Sequence, residues 1–134
     1  MPYKFAHLAD LHLGAFRDPL LRELNLQAFE KAIDICMREK VDFIVIAGDI
    51  FDSNLPDPKV AARVARKFKE LKDAGITTYV VYGSHDASPT KASMVDIFAN
   101  AGLFVNLSKK EVEGRFELIE DAKTGAKLTG LSGR

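Results

Sequence analysis

At 134 residues the chain is long enough for one domain with a hydrophobic core and too short for two. Hydrophobic residues make up 47% of it, and 19 basic residues balance 19 acidic ones, which argues against a protein that wraps duplex DNA through general electrostatic attraction. The sequence contains neither an apolar run of membrane-spanning length nor a signal-peptide pattern, and so predicts a globular, cytoplasmic protein that stays off membranes.

The first third of the chain alternates strand and helix patterns. Residues 3–8 form a short, largely apolar run typical of a strand. Residues 20–40 then repeat apolar side chains at helical spacing, which predicts one face packed on the core: Leu21, Leu24, Ala28, Ala32, Ile33 and Ile35. The only cysteine, Cys36, lies in this helix and is expected to be a buried free thiol. Phe43–Ala47 is rich in β-branched residues, typical of a strand buried on both faces of a parallel sheet.

The alternation continues to residue 101. The patterns predict a helix over 59–74, a strand over 77–82 and a shorter helix over 93–101. The first of these helices carries a basic face, expected to be solvated surface with phosphate contact as the alternative: Arg63, Arg66, Lys67, Lys69 and Lys72. The short helix and the residues after it contribute apolar side chains that we expect in the core: Met94, Val95, Ile97, Phe98 and Phe104. This rhythm predicts an α/β fold with a parallel βαβ sheet and right-handed crossovers.

The end of the chain changes character. Residues 116–119 and 127–131 predict two strands of a β-hairpin around a turn at 121–125. The sequence reaches residue 134 just after a strand, without a closing helix. We therefore expect residues 1–134 to be the amino-terminal part of a larger domain.

Each predicted parallel strand is followed by side chains that can bind a metal ion or transfer a proton. They are Asp10 and His12 after the first strand, Asp49 after the second, and Ser84, His85 and Asp86 after the third. Taken singly, each has an ordinary explanation as a turn cap or a loop histidine. Ligands of open parallel sheets bind beyond the carboxyl ends of the strands, and a divalent cation is the usual reason for carboxylates to gather. Together these residues predict a hydrolytic metal site, in which aspartate and histidine ligands without thiolates favour Mn, Fe or Zn.

Two further polar residues near these motifs have simpler interpretations. His7 lies within the first predicted strand, where a packed histidine is the expected role rather than a metal ligand. Asp52 follows Asp49 by three residues and is expected to organise the loop.

The motifs Asp10-x-His12, Gly48-Asp49 and Gly83-Ser84-His85-Asp86 resemble the first three motifs of the calcineurin-like metallophosphoesterases. The flanking segments FAHLADLHLG and VDFIVIAGDIFDS look specifically like the DNA double-strand-break repair nucleases of the SbcD/Mre type. The resemblance covers the chain from Lys4 onward. It implies that the sheet and its helices form half of an αββα sandwich.

The resemblance also implies a role for each motif residue. Asp10 and His12 would bind the first metal ion and Asp49 would bridge both ions, while Ser84 occupies the position of a second-metal ligand. His85, held by Asp86, would protonate the leaving oxygen or stabilise the charge of the transition state. The implied function is a DNA exo/endonuclease with two Mn²⁺ ions, or alternatively Mg²⁺, Fe²⁺ or Zn²⁺. The implied partners are DNA, an SbcC-type ABC ATPase and a second copy that pairs through helices near residues 93–101.

Two departures from the family pattern bear on this function. The family usually has asparagine where this chain has Ser84, a shorter and weaker ligand. The later histidine motifs, including a Gly-His-x-His, are absent, because all three histidines precede residue 86. We therefore expect these 134 residues to bind Mn²⁺ weakly and to hydrolyse little. The alternatives are a small-substrate phosphodiesterase or nucleotidase of the same superfamily, and a non-catalytic assembly module.

Overall fold

The structure is a computed structural model that describes residues 2–83, 93–108 and 117–131. The helices and strands of these ranges alternate through most of the chain. In order they are β1 (Phe5–Leu8), α1 (Pro19–Arg38), β2 (Phe43–Ala47), α2 (Pro58–Asp73), β3 (Thr77–Val81), α3 (Met94–Asn100), β4 (Val105–Asn106), β5 (Ile119–Glu120) and β6 (Lys127–Leu128). Aspartate or serine side chains cap the helices at Asp18, Asp57 and Ser93, each accepting a hydrogen bond from a backbone N–H of the first turn.

The first four strands form one parallel sheet in the order β1-β2-β3-β4. The α/β prediction is therefore confirmed, with most boundaries within two residues of the expected ones. β4 was missed, because two residues are too few to show a periodic pattern. The parallel register, with Leu8 beside Ile46 and Ile46 beside Val80, brings the carboxyl ends of three strands to one edge.

The helices cover one face of the sheet and build the main core. Ile44, Ile46 and Val80 of the sheet are fully buried beneath residues of all three helices. An aromatic cluster fills the centre, where the ring of Phe68 lies 5.3–6.2 Å from those of Phe29, Phe98 and Phe104. Val95, Phe98 and Phe104 are buried as expected, whereas Ile97 is exposed. In the described part of the chain, no helix is both long and apolar enough to cross a membrane.

The buried face of α1 differs from the predicted one. The core contains Leu26, Phe29, Ile33 and Cys36, so Ile33 and the free thiol are placed as expected. Four residues of the predicted face are exposed instead: Leu21, Leu24, Ala28 and Ile35. α1 has two apolar stripes, and periodicity alone does not reveal which one packs. The stripe with Phe29 is buried because that ring fills space beside Phe68 in the aromatic cluster.

Ion pairs join α1 to α2. The Arg63 guanidinium donates hydrogen bonds to both Glu23 and Glu30, and Lys67 donates to Asp34. The bond from Arg63 lowers the pKa of Glu23 to about 2, and the two glutamates raise the pKa of Arg63. Arg63 and Lys67 therefore bind neighbouring carboxylates, which disfavours phosphate contact through this part of the basic face.

The second face of the sheet is covered only in part. The antiparallel β5–β6 pair packs there against Phe43, Tyr79 and Leu107. Its first strand begins at Ile119, later than predicted, and residue 116 lies outside the described ranges. His7 faces this side and is exposed, so the expectation that it packs was wrong. The burial of β2 on this face decreases along the strand, because Phe43 is buried, Val45 is half-buried and Ala47 is exposed.

A buried hydrogen bond attaches the hairpin to the sheet. The Tyr79 hydroxyl donates to Asp121 over 2.6 Å, and the Thr124 hydroxyl donates to the same carboxylate over 2.7 Å. Burial tends to raise the pKa of Asp121, but these donors outweigh it and hold the pKa below its usual value. Burial and the adjacent carboxylate raise the pKa of Tyr79.

We predict that Tyr79→Phe lowers the free energy of unfolding by about 1–3 kcal/mol at pH 7, because buried Asp121 loses a donor. The pKa of Asp121 is lowered in the folded protein, so the stability that its carboxylate contributes is lost as pH falls below about 4. The pKa of Tyr79 is raised in the folded protein, so the stability that its hydroxyl contributes is lost as pH rises past about 10. The difference in the free energy of unfolding between the wild type and Tyr79→Phe should therefore become smaller at low pH and at high pH. Urea unfolding from pH 3 to 11 measures it, with exposed Tyr3→Phe as the control. A difference independent of pH would contradict the assigned role of this bond.

Candidate metal centre

The loops after β1 and β2 continue the pairing of the two strands. Backbone N–H groups of Asp10, His12 and Leu13 donate to the carbonyls of Gly48, Asp49 and Ile50 over 2.9–3.2 Å. Leu13 and Phe51 then form a parallel bridge, and both side chains are buried in the main core. The two loops are therefore joined along their length and anchored at the far end.

The three candidate ligands on these loops have an uncommon backbone conformation. Asp10, His12 and Asp49 have φ angles of 52°, 46° and 52°, in the left-handed region that non-glycine residues seldom adopt. Such residues occur where the surrounding structure holds them, often at functional sites. Here the backbone hydrogen bonds between the two loops hold these three residues in the left-handed conformation. At these residues the side chains no longer alternate between the two faces as they do in a strand.

The side chains of these residues converge. His12 Nε2 lies 3.9 Å from Asp10 Oδ1 and 3.8 Å from Asp49 Oδ2, and one ligand atom from each residue lies within 4.8 Å of the others. Asp49 is nearly buried and Asp10 is open to solvent, so the cluster has an accessible side. Ligand bonds of about 2.0–2.2 Å place two ligands of one ion about 3–4 Å apart, so this spacing fits a divalent metal. The structure brings Asp10, His12 and Asp49 together in one cluster that could hold a metal ion.

Asp52 also contacts this cluster. Its Oδ1 lies 3.3 Å from His12 Nδ1, on the opposite side of the ring from the nitrogen that faces the other carboxylates. The backbone N–H of Asp52 donates to the carbonyl of Leu13, which holds the residue beside the histidine. A carboxylate at this position can orient the ring and its tautomer for metal binding. From the sequence, Asp52 was expected only to organise its loop. The contact with His12 arises because the two loops continue to pair beyond the strands, which places residue 52 beside residues 12–13.

The end of β3 also reaches the cluster. A Cβ atom on Gly83 would lie 2.6 Å from the backbone nitrogen of Asp49, and one on Gly48 would lie 3.1 Å from the Gly83 Cα. Only glycine permits this approach of the third strand end to the second. The predicted metal ligand Ser84 and the predicted catalytic residues His85 and Asp86 follow directly, but they lie outside the described residues. Their roles stay predictions.

Comparison with known proteins agrees with this geometry. Residues 3–129 match the family model described as calcineurin-like phosphoesterase. The chain belongs to the calcineurin-like phosphoesterase family. This membership confirms the resemblance inferred from the motifs, and with the Asp10–His12–Asp49 cluster it supports a metal-dependent hydrolase.

Curated relatives narrow the similarity within the calcineurin-like phosphoesterases. The chain is 30% identical over 122 residues to the DNA double-strand break repair protein Mre11 of Archaeoglobus fulgidus, covering 90% of this chain and 28% of that protein. It is 41% identical over 91 residues to Mre11 of Sulfurisphaera tokodaii, covering 66% of this chain and 23% of that protein. It is 35% identical over 92 residues to the uncharacterized metallophosphoesterase YhaO of Bacillus subtilis, covering 61% of this chain and 22% of that protein. The chain thus spans about a quarter of the length of these relatives.

We predict that Asp49→Asn abolishes measurable Mn²⁺ binding in isothermal titration calorimetry, because it removes a carboxylate at the centre of the cluster. The matched control is Asp42→Asn. Both carboxylates are 13% exposed, but Asp42 precedes β2 whereas Asp49 follows it. The control should bind Mn²⁺ as the wild type does. Equal heats for the wild type and Asp49→Asn would show that no site forms around Asp49.

We also predict that Gly83→Ala weakens Mn²⁺ binding by about tenfold or more, because its Cβ would push Asp49 out of position. The comparison variant is Gly75→Ala, where a Cβ meets nothing within 4 Å although the left-handed backbone still adds strain. Titration calorimetry with thermal unfolding separates the two effects. Gly75→Ala should lower stability alone, and unchanged affinity in Gly83→Ala would contradict the close approach.

Proposed function

We propose that this protein hydrolyses phosphodiester bonds of DNA in a Mn²⁺-dependent reaction, as a nuclease in double-strand-break repair. The observation that carries the proposal is the convergence of Asp10, His12 and Asp49 within 4.8 Å at the carboxyl ends of parallel strands. The substrate is proposed from the relatives, two of which are named as DNA double-strand break repair proteins.

The roles proposed for Asp10, His12, Asp49 and Asp52 follow from their positions, and those proposed for Ser84, His85 and Asp86 follow from the family motifs alone. Asp10, His12 and Asp49 would hold one metal ion, and Asp49 and Ser84 would hold a second. Asp52 orients the His12 ring through the 3.3 Å contact at Nδ1. In such sites bound divalent metals supply Lewis acidity and a water of lowered pKa. His85, oriented by Asp86, donates a proton to the leaving sugar oxygen.

A cleft beside Asp49 offers room for a phosphodiester. It has a volume of about 580 Å³ and is lined by Asp49, Gly83, Thr129 and Leu131 among others. The cleft lies on the partly covered face of the sheet, next to β2 and β3. Its volume lies in the range of about 300–1,000 Å³ typical of small-molecule sites, enough for a phosphodiester and its sugars.

We further propose that residues 1–134 are the amino-terminal part of the phosphoesterase domain. Four protein ligands are too few for two metal ions, so the remaining ligands would come from the histidine motifs of the rest of the domain. The complete protein would work in the cytoplasm with an SbcC-type ABC ATPase. Exposed Ile97 on α3 is available for the homodimer contact implied by the resemblance.

The test compares the natural gene product that contains these residues with the 134-residue chain, on linear duplex DNA and on bis-p-nitrophenyl phosphate. With Mn²⁺ we expect the gene product to cleave DNA, and Asp49→Asn to slow cleavage by about two orders of magnitude. Asp42→Asn should leave the rate close to that of the wild type, because Asp42 lies at the opposite end of β2 from the cluster. The 134-residue chain should bind Mn²⁺ but cleave far more slowly.

Two other results would contradict the nuclease proposal, and each would favour a different function. Turnover of the small diester without any cleavage of DNA would identify a small-substrate phosphodiesterase of the same superfamily. Absence of both activities in the gene product, with Mn²⁺ bound, would favour a non-catalytic assembly module.

A further inference from the structure

Tyr82, the residue that follows β3, is hydrogen-bonded at both its backbone and its side chain. Its backbone N–H donates to Ser108 Oγ over 2.7 Å, and its hydroxyl donates to Asp96 Oδ1 over 2.7 Å. The Tyr82 side chain is half-buried and packs against the main core. Because β3 ends at Val81, these two side chains hold the chain at the point where it leaves the strand.

The carboxylate of Asp96 joins Tyr82 to the start of α3. Its Oδ1 accepts from Tyr82, while its Oδ2 accepts from the backbone N–H and the hydroxyl of Ser93 over 3.0 and 3.1 Å. Ser93 is buried, and α3 is anchored by Val95 and Phe98 in the main core. Asp96 therefore fastens the end of β3 to a helix that the core holds in place.

The start of α3 is also bonded to the loop after β2. The backbone N–H of Met94 donates to the carbonyl of Asn54 over 3.0 Å. In the same loop the buried ring of Phe51 packs edge-on against Phe98 of α3, with ring centroids 5.6 Å apart. A hydrogen bond from Tyr82 to α3 therefore also fixes the position of Tyr82 relative to this loop.

Gly83 comes directly after Tyr82 and lies against a candidate metal ligand. A Cβ atom on Gly83 would lie 2.6 Å from the backbone nitrogen of Asp49 and closer still to the Asp49 carboxylate. The Gly83 backbone therefore packs on Asp49 without space for even a methyl group. Because closely packed groups do not move independently, a displacement of Tyr82 carries Gly83 into the Asp49 carboxylate or away from it.

We propose that Asp96 is a positioning residue of the candidate metal centre. The hydrogen bond that Asp96 accepts from Tyr82 keeps Gly83 in place, and Gly83 in turn supports the Asp49 carboxylate. The bonds from Ser93 to Asp96 form an ordinary capping box, whereas the bond from Tyr82 takes no part in capping the helix. The proposal rests on the proposed function only in that Asp49 binds a metal ion, and it does not depend on DNA as the substrate.

The test separates positioning of the metal centre from a contribution to stability alone. Tyr82→Phe removes the bond to Asp96 and keeps the ring, whereas Ser93→Ala removes the capping hydroxyl and keeps the bond from Tyr82. Both variants should lower the midpoint of thermal unfolding by about 2–6 °C. In isothermal titration calorimetry with the 134-residue chain, Tyr82→Phe should weaken Mn²⁺ binding about three- to tenfold. Ser93→Ala should bind Mn²⁺ as the wild type does.

Two further measurements trace the effect to this bond. Adding Tyr82→Phe to Asp96→Ala should weaken Mn²⁺ binding no further than Asp96→Ala does alone, because both substitutions remove the same interaction. In the metal-free chain, the backbone amide NMR signal of Asp49 should shift in Tyr82→Phe and stay unchanged in Ser93→Ala.

Unchanged Mn²⁺ affinity in Tyr82→Phe, or equal weakening in Tyr82→Phe and Ser93→Ala, would overturn the positioning role. Asp49→Asn is measured beside them, so that this result is kept apart from a failure of the proposed function. If Asp49→Asn loses Mn²⁺ binding while Tyr82→Phe does not, the metal centre stands and the role of Asp96 is wrong. If the wild type and Asp49→Asn give equal heats, both the metal centre and the positioning role are wrong.

Discussion

The backbone hydrogen bonds between the loops after β1 and β2 determine the geometry of the candidate metal centre. Carboxylates and an imidazole gathered within 4.8 Å cost free energy unless the chain holds them there. The loops do so by extending strand pairing past the sheet edge to the buried bridge between Leu13 and Phe51. Left-handed backbone at Asp10, His12 and Asp49 is tolerated because these bonds leave the loops little freedom. The candidate ligands are therefore held in position by loops that are anchored in the main core.

The two faces of the sheet serve different purposes. The helical face is closed by the aromatic cluster around Phe68, and it supports the strands whose ends carry the ligands. The other face packs against a short hairpin, which is attached to the sheet through the buried hydrogen bond from Tyr79 to Asp121. Beside that hairpin the cleft at Asp49 stays open. Stability and access to the site are therefore separated on opposite sides of one sheet.

α1 shows that one helix can satisfy two requirements at once. Its inner stripe, with Phe29 and Ile33, packs on the core, and its acidic residues bind Arg63 and Lys67 of α2. Its opposite face, with Leu21, Leu24 and Ile35, is exposed among the described residues.

The sequence by itself determined the α/β class, the order of the main elements and the family. Buried parallel strands have nearly continuous apolar runs, and the motif residues follow directly after them, as Asp49 follows Phe43–Ala47. It also predicted that Asp10, His12 and Asp49 lie close together, because parallel strands end at a common edge. Tertiary structure alone decided which stripe of α1 is buried, the exposure of His7, the pairing of the two-residue β4, and the contact of Asp52 with His12. These depend on volumes and loop paths contributed by distant parts of the chain, which a local pattern does not contain.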